Sequence, residues 1–432
     1  MQGAPAPDPE KTDRVMLIRR RFSRILFKKK LINYPLTFQL ETFLKIGLPT
    51  IFKMGIGYFK AKLFPRKEEN LEDFFINRFG KELYEFFFKS YSKKLWGVGC
   101  KQLSPEWGRQ RIQNVSIPRL ILKSLGSKFI KPDLSSLSYG HDREASTIDY
   151  FKYPKLGAGQ LWDEVARIIK EKNGRIYLKH KVIGFNFDGK RIVSIEAQDI
   201  NSGKIITMEG DYFVSTMPIK ELIQSFKQGV PAKVREVADT LRYRNLITVG
   251  VLLRKMKIKN DTRIKTINNI IPDNWIYVQE NEFKLGRIQI FNNWSPYLIK
   301  NENTVWLGLE YFCDEEGGLW QRSDKDIAEF ALDELFKIGF IDNKDILDSV
   351  VVRVPKAYPV YCEGYFEIDL VKDFAEKFEN LFLVGRNGMH KYNNIDHSMI
   401  SAMTAVENII NNIKDKKNIW SVNLDSGYCE KN

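Results

Sequence analysis

No G-x-G-x-x-G turn occurs anywhere in this 432-residue chain. The pairs Gly55 with Gly57 and Gly97 with Gly99 lack a third Gly and a preceding strand pattern. Trp162 takes the sixth place after Gly157 and Gly159, so the usual dinucleotide-binding fingerprint is missing. The four histidines, His141, His180, His390 and His397, are scattered, and nothing forms a Ser-His-Asp arrangement. The four cysteines, Cys100, Cys313, Cys362 and Cys429, lie far apart without a C-x-x-C. That argues against zinc and against a disulfide framework, and fits a reducing cytoplasm. No uncharged apolar run approaches ~18 residues, so no transmembrane helix is expected. No signal peptide precedes a cleavage site, and no repeat or long low-complexity tract is present.

What is there reads as a globular protein, with 43% hydrophobic and 28% charged residues. Its length suggests two domains, interleaved in sequence. The charge is uneven: residues 11–67 carry fifteen Lys or Arg against two acids, in a chain whose net charge is +14. This block is either a solvated face or a surface for an anionic substrate or an anionic membrane. Between Phe38 and Phe64, apolar residues are interspersed with Lys45, Lys53 and Lys60. The pattern is that of a basic amphipathic helix pair broken near Pro49, which suits an interfacial position as well as packing within a domain. No nucleic-acid module accompanies the charge, so nucleic acid is not an expected partner.

Val15–Ile18, Ser23–Phe27 and Leu31–Pro35 read as strands around a Lys28–Lys30 turn. Leu71–Leu95 reads as helical, with Phe74, Phe75, Phe79, Leu83, Phe86, Phe87 and Tyr91 in a broad apolar stripe. Residues 113–150 are polar and read as a loop. Gln160–Lys172 is amphipathic, with Leu161, Val165, Ile168 and Ile169 on one face, and Asn173-Gly174 closes it. Arg175–Leu178, Val182–Phe187, Ile192–Ala197, Ile205–Glu209 and Tyr212–Thr216 then make one sheet, with a turn at Asp188-Gly189. Further strands are expected at Leu246–Leu253, Trp275–Val278, Gly286–Phe291, Val305–Phe312 and Ile346–Val354, with a helix over Asp324–Ile338. Arg287, Glu310 and Arg353 line a cavity or pair on a sheet face.

The chain is organised around Leu381–Ile409. An apolar run ends at Gly385, a polar loop follows, and apolar Ile395, Met399, Met403, Val406, Ile409 and Ile410 then recur at helical spacing. A helix that starts near Asn394 offers unpaired N–H groups and a positive dipole end, which suits pyrophosphate. The alternative is an ordinary strand–loop–helix connection.

Gly385-Arg386 and Lys391-Tyr392-Asn393-Asn394-Ile395-Asp396 resemble the C-terminal flavin motif of the FAD-dependent amine oxidase superfamily. The likeness is strongest to its protoporphyrinogen oxidase-like and UDP-galactopyranose mutase-like branches. Ser23-Arg24-Ile25 to Tyr34-Pro35, Tyr91-x-x-Lys94-x-Trp96-Gly97 and Phe291-Asn292-Asn293-Trp294-Ser295-Pro296 resemble segments of the same group. The resemblance implies a two-domain FAD/NAD(P)-binding flavoprotein fold of the α/β (α+β) class. Residues 1–150 and 236–370 would form a mixed substrate domain, 151–235 and 371–415 the FAD-binding domain, and 416–432 a tail. Gly385, Arg386, Asn394, Ile395 and Asp396 would touch FAD. The Gly157 and Gly159 turn would approach its ring, and Val182 would lie by its adenine. Tyr392 and Trp96 would face the substrate, and His390 or His397 is either a site residue or structural.

The resemblance begins inside the family pattern, because the first strand–turn–helix unit is absent. The implied nucleotide-binding domain is therefore incomplete, and a companion chain is one source of the missing unit. Three functions stay open. The first is an FAD-dependent oxidoreductase acting on a small-molecule, anionic substrate. The second is a flavin-dependent sugar-nucleotide mutase, although mutases usually carry an acidic residue where this chain has Asn394. The third is a non-catalytic fragment or half of a split flavoprotein.

Overall fold

The computed structural model describes residues 7–34, 46–112 and 150–422. In chain order, strands β1 (Met16–Arg20), β2 (Ser23–Phe27) and β3 (Lys30–Tyr34) precede helices α1 (Leu48–Leu63), α2 (Leu71–Phe79), α3 (Lys89–Trp96) and α4 (Glu106–Ile112). Then come β4 (Tyr150–Pro154), α5 (Ala158–Glu171), β5 (His180–Asp188), β6 (Arg191–Asp199), β7 (Ile205–Glu209), β8 (Phe213–Ser215), α6 (Ile219–Ser225) and α7 (Ala232–Thr240). The chain continues through β9 (Arg242–Leu253), β10 (Trp275–Val278), β11 (Arg287–Ile290), β12 (Val305–Cys313), α8 (Asp324–Ile338) and β13 (Ile346–Val360). It closes with α9 (Ile368–Glu376), β14 (Leu381–Leu383), α10 (Ile395–Ile410) and α11 (Lys417–Ser421).

The largest sheet has seven strands in the order β13-β9-β12-β11-β10-β2-β3, and only the β10–β2 pair is parallel. Alternation puts Ile247, Val249, Val251 and Leu253 of β9 on the same buried side as Leu307 and Leu309 of β12. Ile327, Ala331, Leu335 and Ile338 of α8 pack into that core at helical spacing. The helix starts where the Ser323 hydroxyl accepts from the Asp326 N–H at 3.2 Å and stops at left-handed Gly339. Strand β2 is held by buried Arg24, which donates to Asp273 at 2.6 and 2.9 Å and to Asp261 at 3.0 Å.

A second core lies between the β5–β6 hairpin and helices α6, α7 and α9. Phe226 is its centre, stacked on Phe185 at 4.9 Å and on Phe378 at 5.1 Å. Strand β14 is fully buried beside this core and pairs in parallel with β8. Among the described residues these two strands form a sheet of their own, separate from the antiparallel β5-β6-β7 sheet.

Several expectations change. Strand β8 leaves the β5–β7 meander because its hydrogen bonds go to β14. Arg175–Leu178 is not a strand: no described strand pairs with it, and Ile176, Tyr177 and Leu178 are exposed. The Leu71–Leu95 helix is interrupted at Gly80, which takes φ 84. A Cβ on Gly80 would come within 2.6 Å of the Gly57 backbone, so this glycine permits α1 and α2 to touch. The break expected near Pro49 falls at Gly47, between helical Ile46 and the start of α1. Pro49 itself sits in the first turn of α1, where its missing N–H costs nothing. The loop expected over 113–150 lies, up to 149, outside the described residues, as do Phe38, Lys45, His141 and Cys429.

Candidate functional site

The ring of Tyr392 lies at the centre of an aromatic and cationic cluster. Trp96 meets it edge-on at 5.5 Å, Trp107 at 6.2 Å, and Tyr358 stacks on it at 5.5 Å. The Arg111 guanidinium sits 4.2 Å from its ring centre, and Arg386 lies 5.1 Å from both Tyr392 and Tyr358. Behind Tyr358, partly buried Arg287 donates to its hydroxyl at 2.8 Å and pairs with Glu310 on the neighbouring strand. Burial works against the charge of Arg287, but Glu310 holds its pKa well above the ordinary value. Burial pushes the Tyr358 hydroxyl up to about 12, against the pull of Arg287. Trp96 and Tyr358 are buried, so the cluster packs flat π faces against closely held cations, contacts of the kind that also bind planar or anionic groups.

Three elements deliver these side chains. Trp96 ends α3, where Gly97 takes φ 74. A Cβ there would come within 2.4 Å of Arg244 Nη1. Lys94, two residues earlier, donates to the carbonyls of Val278, Glu280 and Leu285 at 2.8, 3.0 and 3.0 Å. It pins α3 to the β10–β11 hairpin, and burial pulls its pKa down to about 8. Tyr358 lies past a register shift between Val354 and Tyr358 in β13, a bulge that re-aims the strand. Tyr392 belongs to the loop before α10, and its N–H donates to the Tyr361 hydroxyl at 2.8 Å.

That loop contains the other expected residues. Residues 385–388 form a one-turn helix rather than open loop. Gly385 has φ 75, and its N–H donates to the Ser401 hydroxyl at 2.9 Å. The Arg386 side chain donates to the carbonyls of Asn393 and Ala357 at 2.8 and 2.9 Å, so it ties both ends of the loop to β13. Asn394 precedes α10 as its N-cap residue, and its N–H donates to His397 Nδ1 at 3.2 Å. Its side-chain oxygen accepts from Arg111 at 2.9 Å. Ile395 and Asp396 open α10 and are exposed. His390 is fully buried in a left-handed conformation, with Nε2 3.2 Å from the Val360 carbonyl. Burial pushes it down to about 4.

Trp96 and Tyr392 are thus brought together, and Gly385, Arg386, Asn394, Ile395 and Asp396 lie on one loop beside them. Gly157 takes φ 99 immediately before α5, whereas Gly159 lies inside the first turn of that helix with open space around it. Val182 pairs with Ala197 in the β5–β6 hairpin and packs at the edge of the second core. Arg353 is on the surface, paired with Asp324. Sequence reasoning missed Trp107, Arg111 and Tyr358. The signal for Tyr358 was Pro355 with Pro359, which marks a bulge inside a strand. Among the described residues no group of His, Cys, Asp and Glu could hold a metal ion.

Three surfaces among the described residues are unusual. Helix α5 buries no residue, and Trp162, Val165, Ile168 and Ile169 face outward. Helix α10 packs through Ser401, Thr404, Ala405 and Asn408 and turns Met399, Met403, Val406 and Ile410 out. The β8–β14 pair has no further strand among the described residues, and Ile176–Leu178 runs unpaired. The start of α10 presents a helix N-terminus, the kind of element on which a pyrophosphate can rest. The described residues do not make the Gly-rich pyrophosphate cradle that would complete its site.

No protein-family model and no curated protein matches the sequence. Solved structures match the fold. A reduced UDP-galactopyranose mutase is similar over 96% of this chain and 83% of its own, at 18% identity and a TM-score of 0.73. An oxidoreductase from Methanosarcina mazei is similar over 88% of this chain and 78% of its own, at 11% identity and a TM-score of 0.51. Cyclohexylamine oxidase from Brevibacterium oxydans IH-35A is similar over 87% and 78%, at 10% identity and a TM-score of 0.51. The chain has the mixed helix-and-sheet fold that these three share.

Proposed function

We propose that this chain forms the substrate side of an FAD-dependent oxidoreductase of the amine oxidase type. The observation that carries the reading is the position of Tyr392. It sits two residues before the helix-capping Asn394 in the proposed flavin loop, and its ring is enclosed by Trp96, Trp107, Tyr358, Arg111 and Arg386. A small substrate with an anionic or planar part is the chemistry this wall favours. FAD, once bound, would supply the redox chemistry. Gly157, Gly159, Val182, Gly385, Arg386, Asn394, Ile395 and Asp396 would line one side of it. A strand–helix–strand unit, on this polypeptide or on a companion chain, would supply the other side, seated on the exposed faces of α5 and α10 and the open edge of the β8–β14 pair. The three described cysteines are free and buried, which supports a reducing cytoplasm.

The second reading is flavin-dependent isomerisation of a sugar nucleotide. The TM-score of 0.73 to UDP-galactopyranose mutase favours it over the oxidase-type scores of 0.51, and clustered arginines suit a diphosphate. Asn394 stands where the mutases usually carry an acid. The test is to isolate the protein from its native cells together with whatever stays bound to it. A yellow preparation bleached by dithionite supports the flavin reading, and a preparation without flavin sinks it. Turnover of UDP-galactopyranose by the reduced preparation, with no acceptor consumed, would decide for the mutase.

A further inference from the structure

Helix α1 turns its apolar side away from the other described residues. Met54, Gly57 and Ala61 are its buried residues, and Glu82 packs against Gly57 on that inner face. On the opposite side, Leu48, Phe52, Ile56, Phe59 and Leu63 follow one another at spacings of four and three. With Phe64 they are between 55 and 74% exposed. At ~100° per residue these five helical positions span only about 80° of the helix circumference. Lys53 and Lys60 then fall about 40–60° beyond one edge of the stripe, and Lys62 about 40° beyond the other. All three lysines are exposed. From Ile46 to Lys67 the chain holds five Lys or Arg and no acid. The basic Lys28–Lys30 turn belongs to the β2–β3 hairpin, and Ile25 of that hairpin packs in the same cluster as Met54.

A core-facing helix buries its apolar stripe, and a solvated helix does not line its outer side with two Phe, two Leu and an Ile. Large apolar side chains bordered on both flanks by lysines match a different environment. The stripe reaches into acyl chains while the lysine stems run up to the headgroups. We propose that α1 is a monotopic docking helix that seats the protein on an anionic lipid bilayer, with Phe52, Ile56, Phe59 and Leu63 inserted and Lys53, Lys60 and Lys62 at headgroup level. No described helix is long and apolar enough to cross the membrane, so the contact lies in the interface plane.

The experiment is co-sedimentation of the full chain with phosphatidylglycerol–phosphatidylcholine vesicles and with phosphatidylcholine vesicles. The wild type should bind the anionic vesicles, and the binding should weaken severalfold from about 0.05 to about 0.5 M salt as screening sets in. Phe52→Ser with Phe59→Ser should reduce partitioning at least about tenfold, because each inserted ring contributes its transfer free energy. Both rings are exposed, so the urea midpoint should not move. Lys53→Glu with Lys60→Glu should abolish the preference for anionic vesicles. Wild type that ignores anionic vesicles at low salt, or a double Phe variant that binds like wild type, overturns the proposal. So does a wild-type dimer that this variant converts to monomer in sedimentation equilibrium, which would make the stripe a contact between copies. Vesicle binding is read without flavin or turnover, so it stands apart from the flavin reading.

Discussion

The rings of Tyr358 and Tyr392 are stacked at 5.5 Å with 18° between their planes, although one belongs to a sheet strand and the other to a helix-leading loop. The stack is held from below by Arg287, which donates to the Tyr358 hydroxyl at 2.8 Å and is itself paired with buried Glu310. Tyr358→Phe keeps the stack but removes an acceptor from a charged donor. It should cost roughly 1–3 kcal/mol in urea unfolding. Glu310→Gln leaves Arg287 as an uncompensated buried charge and should cost more, about 3–5 kcal/mol. Equal and negligible effects from both substitutions would mean that water, not Glu310, balances Arg287.

Glycines of similar appearance should respond differently to alanine. At Gly388 an added Cβ would lie 2.6 Å from the Ser215 carbonyl oxygen, a backbone atom of β8. Gly388→Ala should therefore push the 385–388 turn off the β8–β14 pair and cost about 1–3 kcal/mol. Gly385→Ala and Gly157→Ala force left-handed backbones at φ 75 and 99 and should cost about 1–2 kcal/mol. Gly159→Ala meets nothing within 4 Å inside α5 and should stabilise by up to about 1 kcal/mol. Thermal melting of the four variants checks the order, and a destabilised Gly159→Ala would contradict it.

Strand β14 and the start of α10 were legible because an apolar run ended at Gly385 and helical spacing began after Asn394. The same spacing left open what α10 faces. Periodicity identifies a stripe but not its partner, and Met403 and Ile410 point outward. Arg175–Leu178 has the composition of a strand, yet a strand exists only when another strand takes its hydrogen bonds. Lys94 and Trp96 came from one sequence motif, but Lys94 proves to be a clamp on three carbonyls. Trp107 and Arg111 carried no local signal, because only the tertiary fold brings α4 to Tyr392.

His390 should make stability depend on acidity. Burial lowers its pKa from 6.5 to about 4 in the folded chain. Above pH 6.5 it is neutral in both states, so its environment is then fully compatible with folding. Between pH 6.5 and about 4 the unfolded chain takes up a proton that the folded one refuses. Stability falls by roughly 3 kcal/mol across that window. His390→Asn keeps a residue tolerant of left-handed backbone at φ 48 and removes the titration. Urea midpoints at pH 7.5 and 4.5 should differ less for this variant than for wild type. An equal acid loss in both would assign the effect to other groups.

The exposed faces of α5 and α10 yield the prediction that bears most directly on the proposed strand–helix–strand unit. Val165, Ile169, Met403 and Val406 are solvent-exposed in the described chain. Val165→Lys with Met403→Lys should therefore leave the isolated chain within about 0.5 kcal/mol of wild type in urea. If a strand–helix–strand unit seats there, each side chain it covers contributes about 1.5–3 kcal/mol to its docking. A lysine in that contact also places a charge against an apolar surface. The same double variant should then lose its bound partner, and its flavin, when isolated from native cells. An isolated chain destabilised by several kcal/mol would mean that these faces are already covered by the chain itself. A variant that keeps partner and flavin would mean that the unit sits elsewhere.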